Sequence, residues 1–218
     1  TAVIELASDG TIERITGKGT LNGRPYIDLF SADFDNPATC NSYSCLVSES
    51  QFNYNTQREQ RVYLDSSGKP EYVMTMKPGY EDYIASVVKL SYEGGVVTSA
   101  SSYTLTGSPY VSSFNVTSLG APTKTLLIGA DGKVSAYLEG SSLMRVSGNA
   151  VDVYANYTGA LTQTAVTNYA ASNKPVTRYL RNADGEAYLK LDIDASGNIA
   201  GAKQYLKFDE TSSNYFII

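Results

Sequence analysis

Hydrophobic and polar side chains alternate with a period of two along many short segments of the chain. In segment 187–193, aliphatic side chains from Ala187 to Ile193 take every second position, and polar side chains take most of the others. A period of two indicates a strand that buries one face and wets the other, as in antiparallel sheets. Further segments show the same pattern: 2–6, 72–76, 84–92, 151–157 and 206–208. We predict a strand in each of them.

Turn sequences that contain glycine separate these segments at short intervals. Asn22-Gly23 is a pair that closes a tight hairpin, because both residues tolerate a positive φ. Other such pairs follow: Asp9-Gly10, Ser67-Gly68, Gly94-Gly95, Asp131-Gly132, Gly148-Asn149, Asp184-Gly185 and Ser196-Gly197. Helical periodicity is weak, and the best helix candidates are short segments near 40–50 and 161–172. The pattern predicts an all-β fold with little helix, an antiparallel β-sandwich or barrel built from consecutive hairpins.

The domain organisation rests on weaker signals. Segments 130–138 and 183–189 share the order Ala-Asp-Gly followed by Ala-Tyr-Leu. An internal duplication would explain this, but the unequal spacings favour ordinary hairpins. The sequence Leu119-Gly120-Ala121-Pro122 interrupts regular structure, yet the composition is the same on both sides of it. We therefore predict a single β domain over residues 1–218, with two subdomains, 1–119 and 120–218, as the alternative.

Charge and composition exclude several partners. Charged residues make up 18% of the chain, below the usual share of about 25%, and 17 basic against 22 acidic residues leave a net charge of −5. The largest basic clusters, Arg58/Arg61 and Arg178/Arg181, hold two charges each, so nucleic-acid binding is not expected. No apolar run approaches the length of a transmembrane helix. A surface rich in Ser, Thr, Gly and Tyr is typical of secreted and surface-displayed β proteins.

Cys40 and Cys45 lie in a polar, turn-prone segment, and they predict a local disulfide. Free thiols and a metal-binding pair are the alternatives, although no histidine is present to complete a zinc site. A disulfide would place the protein in the periplasm, at the cell surface or outside the cell. The chain begins with Thr1 rather than Met, so we also expect that a preceding segment has been removed.

The lack of histidine excludes Ser-His-Asp triads and Cys-His pairs. No glycine-rich phosphate loop is present either. Two carboxylates could still hydrolyse a glycan. With 22 acidic residues in the chain, however, some such pair is inevitable, so its presence is no evidence for a hydrolase. We therefore predict that the protein is not an enzyme and needs no cofactor.

Tyrosine is the one enriched residue that can form a recognition surface, with 18 Tyr against 6 Phe. The segment Tyr80-Glu81-Asp82-Tyr83 follows the Pro78-Gly79 turn and combines acidic groups with aromatic rings. The competing interpretation is an ordinary polar loop. We predict a binding surface that contains the following residues from this segment and from two other predicted loops: Tyr80, Glu81, Asp82, Tyr83, Tyr43 and Tyr54.

Calcium is the best metal candidate. Asp192, Asp194, Ser196 and Asn198 bear oxygens at the spacing of the first half of an EF-hand loop. The second half does not fit, because Lys203 occupies the position of the bidentate Glu. An Asp-Ala-Ser-Gly hairpin at the end of a strand is the alternative.

Three function classes follow from these patterns. The first is a non-enzymatic extracellular or surface-displayed protein of adhesion, appendage, virion or matrix assembly, which contacts a protein or glycan surface or its own copies. The second is a glycan- or small-ligand-binding β domain, which an aromatic-lined pocket would favour. The third is a carboxylate-based glycan-active enzyme, which two acids facing one cleft would favour. We expect the first.

Overall fold

The computed structural model describes residues 2–6, 8, 12–32, 56–106, 109–207 and 215–217. These residues form fifteen strands, one α-helix and a 3₁₀ turn at Val116–Ser118. The strands are β1 (Ala2–Leu6), β2 (Ile12–Leu21), β3 (Arg24–Ala32), β4 (Thr56–Leu64), β5 (Pro70–Lys77), β6 (Tyr80–Glu93), β7 (Val96–Tyr103), β8 (Lys124–Ile128), β9 (Val134–Glu139), β10 (Ser142–Ser147), β11 (Ala150–Tyr154), β12 (Thr177–Arg181), β13 (Ala187–Ile193), β14 (Ile199–Lys207) and β15 (Tyr215–Ile217), and the helix is α1 (Gln163–Ser172). Each strand lies beside the strands that precede and follow it in the chain. The prediction of an all-β fold with little helix is confirmed.

Two compact units divide the chain. Unit 1 consists of Thr1–Ser91 with Ser102–Pro122, and unit 2 consists of Tyr92–Ser101 with Thr123–Ile218. Whether these units fold independently is a separate question, so the number of domains stays a prediction. Among the described residues, neither helical segment is long and apolar enough to cross a membrane.

Four hairpins share one five-residue loop, at 65–69, 129–133, 182–186 and 194–198. In each loop the first N–H donates to the fifth carbonyl, and the N–H of the fourth residue donates to the first carbonyl. The fourth residue is always Gly, with φ between 76° and 90°, a conformation that L side chains rarely adopt. The flanking strands shift register at the same place in all four hairpins. The similarity of segments 130–138 and 183–189 therefore reflects a shared turn.

In three of these loops a side-chain oxygen of the first residue, Asp65, Asn182 or Asp194, accepts further backbone hydrogen bonds. Asp65 Oδ1 accepts hydrogen bonds from the backbone N–H groups of Ser67 and Lys69, at 2.8 Å and 2.9 Å. Asn182 Oδ1 makes the equivalent bonds in its own loop. The backbone bond from Lys69 and the side-chain bond from Ser67 hold the pKa of Asp65 below its ordinary value of 3.8. The ionised carboxylate therefore stabilises the folded loop.

Asp65→Asn is expected to lower the melting temperature at about pH 7 but not at about pH 2. Because the pKa of Asp65 is lower in the folded state, its contribution is present above the unfolded-state pKa and is lost as the pH falls through the folded-state pKa. Asn keeps the acceptor oxygen, as Asn182 shows, so the substitution removes only the charge. Thermal melts of both proteins across this pH range test the prediction. A difference that does not change with pH would contradict it.

The core of unit 1 lies on one face of its strands. Tyr72, Met74 and Met76 alternate with more exposed residues along β5, as their spacing predicts. They pack with buried residues from the neighbouring strands and from the segment that follows β7, namely Tyr63, Ile84, Val87, Val111, Phe114 and Val116. The segment after β7 thus covers this face of the sheet.

The core of unit 2 has a helical cover. Leu127, Ala136, Leu143 and Tyr154 come from four consecutive strands and pack with Tyr157 and Val166 from the α1 region. Helix α1 begins after Thr162, whose hydroxyl oxygen accepts a hydrogen bond from the N–H of Ala165 at 3.3 Å. The helix predicted near 161–172 is confirmed, and the one predicted near 40–50 lies outside the described residues.

The sheet does not form a closed barrel within the described residues. β1 and β15 stand at the two ends of a linear strand order, so the sheet is not closed. An irregular segment covers the core in unit 1 and a helix covers it in unit 2. Strand periodicity shows that one face of a strand is buried but not what buries it. For this reason the sequence alone did not distinguish a sandwich from a barrel.

Candidate binding surface

A bulge at the start of β6 exposes the predicted tyrosine segment. On β5, Met76 lies opposite Ile84 and Lys77 lies opposite Tyr80, so residues 81–83 have no opposite residue on that strand. A bulge of this kind locally frees backbone groups and redirects side chains. The segment therefore departs from strict strand alternation.

Segment 109–111 attaches beside this bulge. The N–H of Val111 donates to the carbonyl oxygen of Asp82 at 2.8 Å, and Tyr110 pairs with Tyr83 as an isolated antiparallel bridge. A residue 27 positions away along the chain is thus brought next to the predicted site.

The tyrosine surface consists of Tyr80, Tyr83 and Tyr110. The rings of Tyr83 and Tyr110 lie 4.4 Å apart between centroids, and their hydroxyl oxygens are hydrogen-bonded at 2.5 Å. The ring of Tyr80 meets Tyr83 edge-on at 5.9 Å, and Lys77 Nζ lies 5.0 Å from the Tyr80 centroid. Tyr80 is 56% exposed and Tyr110 is 49% exposed. The hydrogen bond with Tyr110 raises the pKa of Tyr83, and loss of solvent contact raises this pKa further.

Charged groups connect this surface to a buried ion cluster. Arg58 donates from Nη1 to the exposed Asp82 at 3.2 Å and from Nε to Asp28 at 3.0 Å. Arg61 also binds Asp28, through two hydrogen bonds of 2.7 Å and 2.8 Å. Asp28 and Arg61 are 4% and 5% exposed. The carboxylate of Asp82 is therefore oriented by a guanidinium that the unit interior holds in place.

The two carboxylates joined by Arg58 do not form the arrangement that a glycan hydrolase requires. In such enzymes both carboxyl groups face the same sugar, whereas Asp28 is buried beneath two guanidinium groups and only Asp82 is exposed. Asp82 can accept hydrogen bonds from a ligand, and Lys77 can donate them.

No known family model matches the chain, and no curated protein matches it.

The structure brings together Tyr80, Asp82 and Tyr83 of the predicted binding surface. Glu81 belongs to β6, but its side chain lies outside the described residues. Other predicted residues lie outside them altogether: Tyr43, Tyr54, Cys40 and Cys45. The disulfide therefore stays a prediction. Sequence reasoning did not place Arg58 at the site, nor Tyr110 beside Tyr83, because the bulge and segment 109–111 have no periodic signal.

The predicted calcium ligands lie in and beside one of the shared hairpin loops. Asp194 Oδ1 accepts hydrogen bonds from the backbone N–H groups of Ser196 and Asn198, at 2.9 Å and 2.8 Å. Asp192 lies on β13, where its carboxylate meets Lys190 Nζ at 2.8 Å. The bond from Lys190 lowers the pKa of Asp192, and the backbone bond from Asn198 lowers the pKa of Asp194. These carboxylates thus have protein partners, and calcium binding stays a prediction.

Proposed function

We propose that this is a non-enzymatic extracellular or surface-displayed protein that acts in adhesion or in the assembly of an appendage, virion or matrix. Its tyrosine surface makes the contact with a partner protein or glycan. One observation carries the proposal: three tyrosines from two separate chain segments pack against one another at an exposed site. Partly exposed aromatic rings that are already ordered are the usual anchors of recognition surfaces.

The packing within the tyrosine surface reduces the cost of binding. Tyr83 is fixed by its ring contact and its hydroxyl bond to Tyr110, so little side-chain entropy is lost when a partner binds. Asp82 and Lys77 supply an acceptor and a donor beside the rings. Such a combination suits a partner with both apolar and hydroxyl groups.

Glycan binding is the second candidate, and the same residues favour it. A sugar ring has an apolar face that can lie on an exposed tyrosine ring and hydroxyl groups that can bond to Asp82. A purely protein partner would need apolar area instead, and its footprint would extend beyond the rings.

A Tyr80→Ser/Tyr110→Ser variant is expected to bind at least about tenfold more weakly than the wild type, because it removes the exposed anchors. Surface plasmon resonance against an array of glycans and purified matrix proteins measures the effect. Tyr188→Ser is the matched control, since Tyr188 is 40% exposed but lies in unit 2.

Two results would contradict the proposal. One is a double variant that binds the same array members as tightly as the wild type does. The other is cleavage of any array glycan by the wild-type protein, because a non-enzymatic protein turns nothing over. Thermal melting of each variant confirms that the loss of binding is not a loss of folding.

A further inference from the structure

Unit 2 has a second face that points away from its core. Because side chains alternate along each strand, the residues next to the buried ones emerge on the opposite side. Leu126, Tyr137, Met144 and Val153 form one such row, since each lies opposite the next on the neighbouring strand. All four are partly exposed. This side of unit 2 is the open face.

Three basic residues converge on one concavity of the open face. Lys124, Lys133 and Arg181 line a concavity of about 500 Å³ together with Tyr137. Lys124 Nζ lies 4.7 Å from the Tyr137 ring centroid and 3.7 Å from a Glu139 carboxylate oxygen. These cations come from β8, from the loop before β9 and from the end of β12. Their separation along the chain explains why the sequence shows only the pair Arg178/Arg181 and not this set of three.

Two of these cations have no acidic partner among the described residues. Within the part of the chain that the structure describes, no ion pair includes Lys133 or Arg181. Arg181 Nε is buried without a hydrogen-bond acceptor among the described residues. A buried donor without an acceptor is costly, and an anion bound to the guanidinium would offset its positive charge. The open face therefore carries local positive charge on a chain whose net charge is −5.

The concavity continues across the strands as a groove. A second concavity shares Tyr137 and extends past Glu139, which is paired with Lys124, and past Met144 and Val153 to Tyr179. Beyond Tyr179, Lys190 lies opposite it on β13, where its ammonium is paired with Asp192, and Lys203 lies opposite Lys190 on β14. Adjacent strands are about 4.8 Å apart, so rings and cations recur at short intervals along a line that crosses the sheet.

We propose that the open face of unit 2 binds a linear acidic polysaccharide whose sugar rings carry carboxylates, a polyuronate. Its rings lie on Tyr137 and Tyr179, and its carboxylates pair with Lys133 and Arg181. The site lies in the other unit from the tyrosine surface, so it does not depend on the function proposed for that surface.

A polyuronate fits the open face better than a nucleic acid does. DNA carries a charge about every 1.7 Å along its axis and needs a dense set of cations to neutralise it. A polyuronate carries a single charge per ring and offers ring faces to the tyrosines. The few cations of the groove match that lower charge density.

Isothermal titration calorimetry with oligogalacturonate and oligomannuronate tests the site directly. The methyl esters of the same oligosaccharides are the ligand controls, because they keep the rings and lose the charges. We expect both acidic ligands to bind at low salt, both esters to bind at least about tenfold more weakly, and higher salt to weaken binding further.

Arg181→Gln/Lys133→Gln is expected to weaken oligogalacturonate binding by about tenfold or more, since charge-assisted contacts are the stronger hydrogen bonds. Lys69→Gln is the matched control, because Lys69 holds the same fifth position of the equivalent loop in unit 1. It should bind as the wild type does, and melting curves should show that all variants are folded.

Several outcomes would overturn the proposal. They are the absence of binding by both acidic oligosaccharides, equal binding of acids and esters, and an equal loss of affinity in Lys69→Gln. Tighter binding of single-stranded DNA with the same number of charges would overturn it in favour of a nucleic acid. None of these results bears on the Tyr80→Ser/Tyr110→Ser experiment, so the two proposals can fail separately.

Discussion

Asp28→Ala is expected to lower the free energy of unfolding by about 3–5 kcal/mol, the cost of breaking a buried ion pair by removing one partner. The substitution leaves the guanidinium of Arg61 buried without the carboxylate of Asp28. The Cζ atom of this guanidinium lies 3.7 Å from the Tyr26 ring centroid. Burial opposes the charged form of Arg61, but the hydrogen bonds and charge of Asp28 outweigh it and raise the pKa of Arg61. Arg58 loses the same partner.

Asp152→Ala provides a matched comparison in unit 2. Asp152 lies directly opposite Arg178 on the neighbouring strand, as Asp28 lies opposite Arg61. Asp152 also accepts two hydrogen bonds from the guanidinium of Arg178. The side chain of Arg178 is 44% exposed, however, so water can solvate it when the carboxylate is removed. We expect this substitution to cost about 1–2 kcal/mol.

Urea unfolding followed by tyrosine circular dichroism measures both variants. Equal losses for Asp28→Ala and Asp152→Ala would contradict the argument, because only the first leaves a charge in the interior. A reference variant, Asp28→Ala/Arg61→Ala, removes both partners and should recover part of the loss. A double variant that is less stable than Asp28→Ala would contradict the same argument.

The ion cluster also has a functional consequence. Arg58 joins the buried Asp28 to the exposed Asp82, so Asp28→Ala should loosen the carboxylate beside the tyrosine surface. Stability and the proposed recognition in unit 1 would therefore depend on the same guanidinium.

Local patterns in the sequence were sufficient to predict the strands β1, β5, β6 and β13, parts of β11 and β14, and the glycine turns between strands. Tyr72, Met74 and Met76 share a buried face as their spacing requires, because alternation is a property of the strand itself. The hairpins follow from single glycines such as Gly68, whose positive φ is a local requirement. These features need no knowledge of distant residues.

Long-range features of the fold could not be predicted from the same patterns. Val111 and Phe114 cover the core of unit 1 from a segment with little regular structure, so no periodicity marks them. Tyr110 joins the predicted tyrosines only because the bulge at 81–83 accepts its segment. The basic residues of the open face meet through strand pairing, which the sequence does not display.

Leu143→Ala is expected to destabilise unit 2 by about 3–5 kcal/mol, whereas Met144→Ala is expected to cost only about 1 kcal/mol. The two residues are neighbours on β10, but their side chains point to opposite faces of the sheet. Leu143 is 0% exposed and packs in the core that α1 covers, so its truncation leaves a cavity. Met144 lines the groove of the open face, where water fills the space that its side chain leaves.

Hydrogen exchange of backbone amides in β9 and β11 measures this difference within unit 2 alone. The comparison tests whether the stability of unit 2 comes mainly from the face of the sheet that α1 covers and not from the open face. Equal costs for the two substitutions would mean that the open face is as well packed as the core. The groove would then be closed to an acidic polysaccharide, and Arg181 and Lys133 would need another explanation.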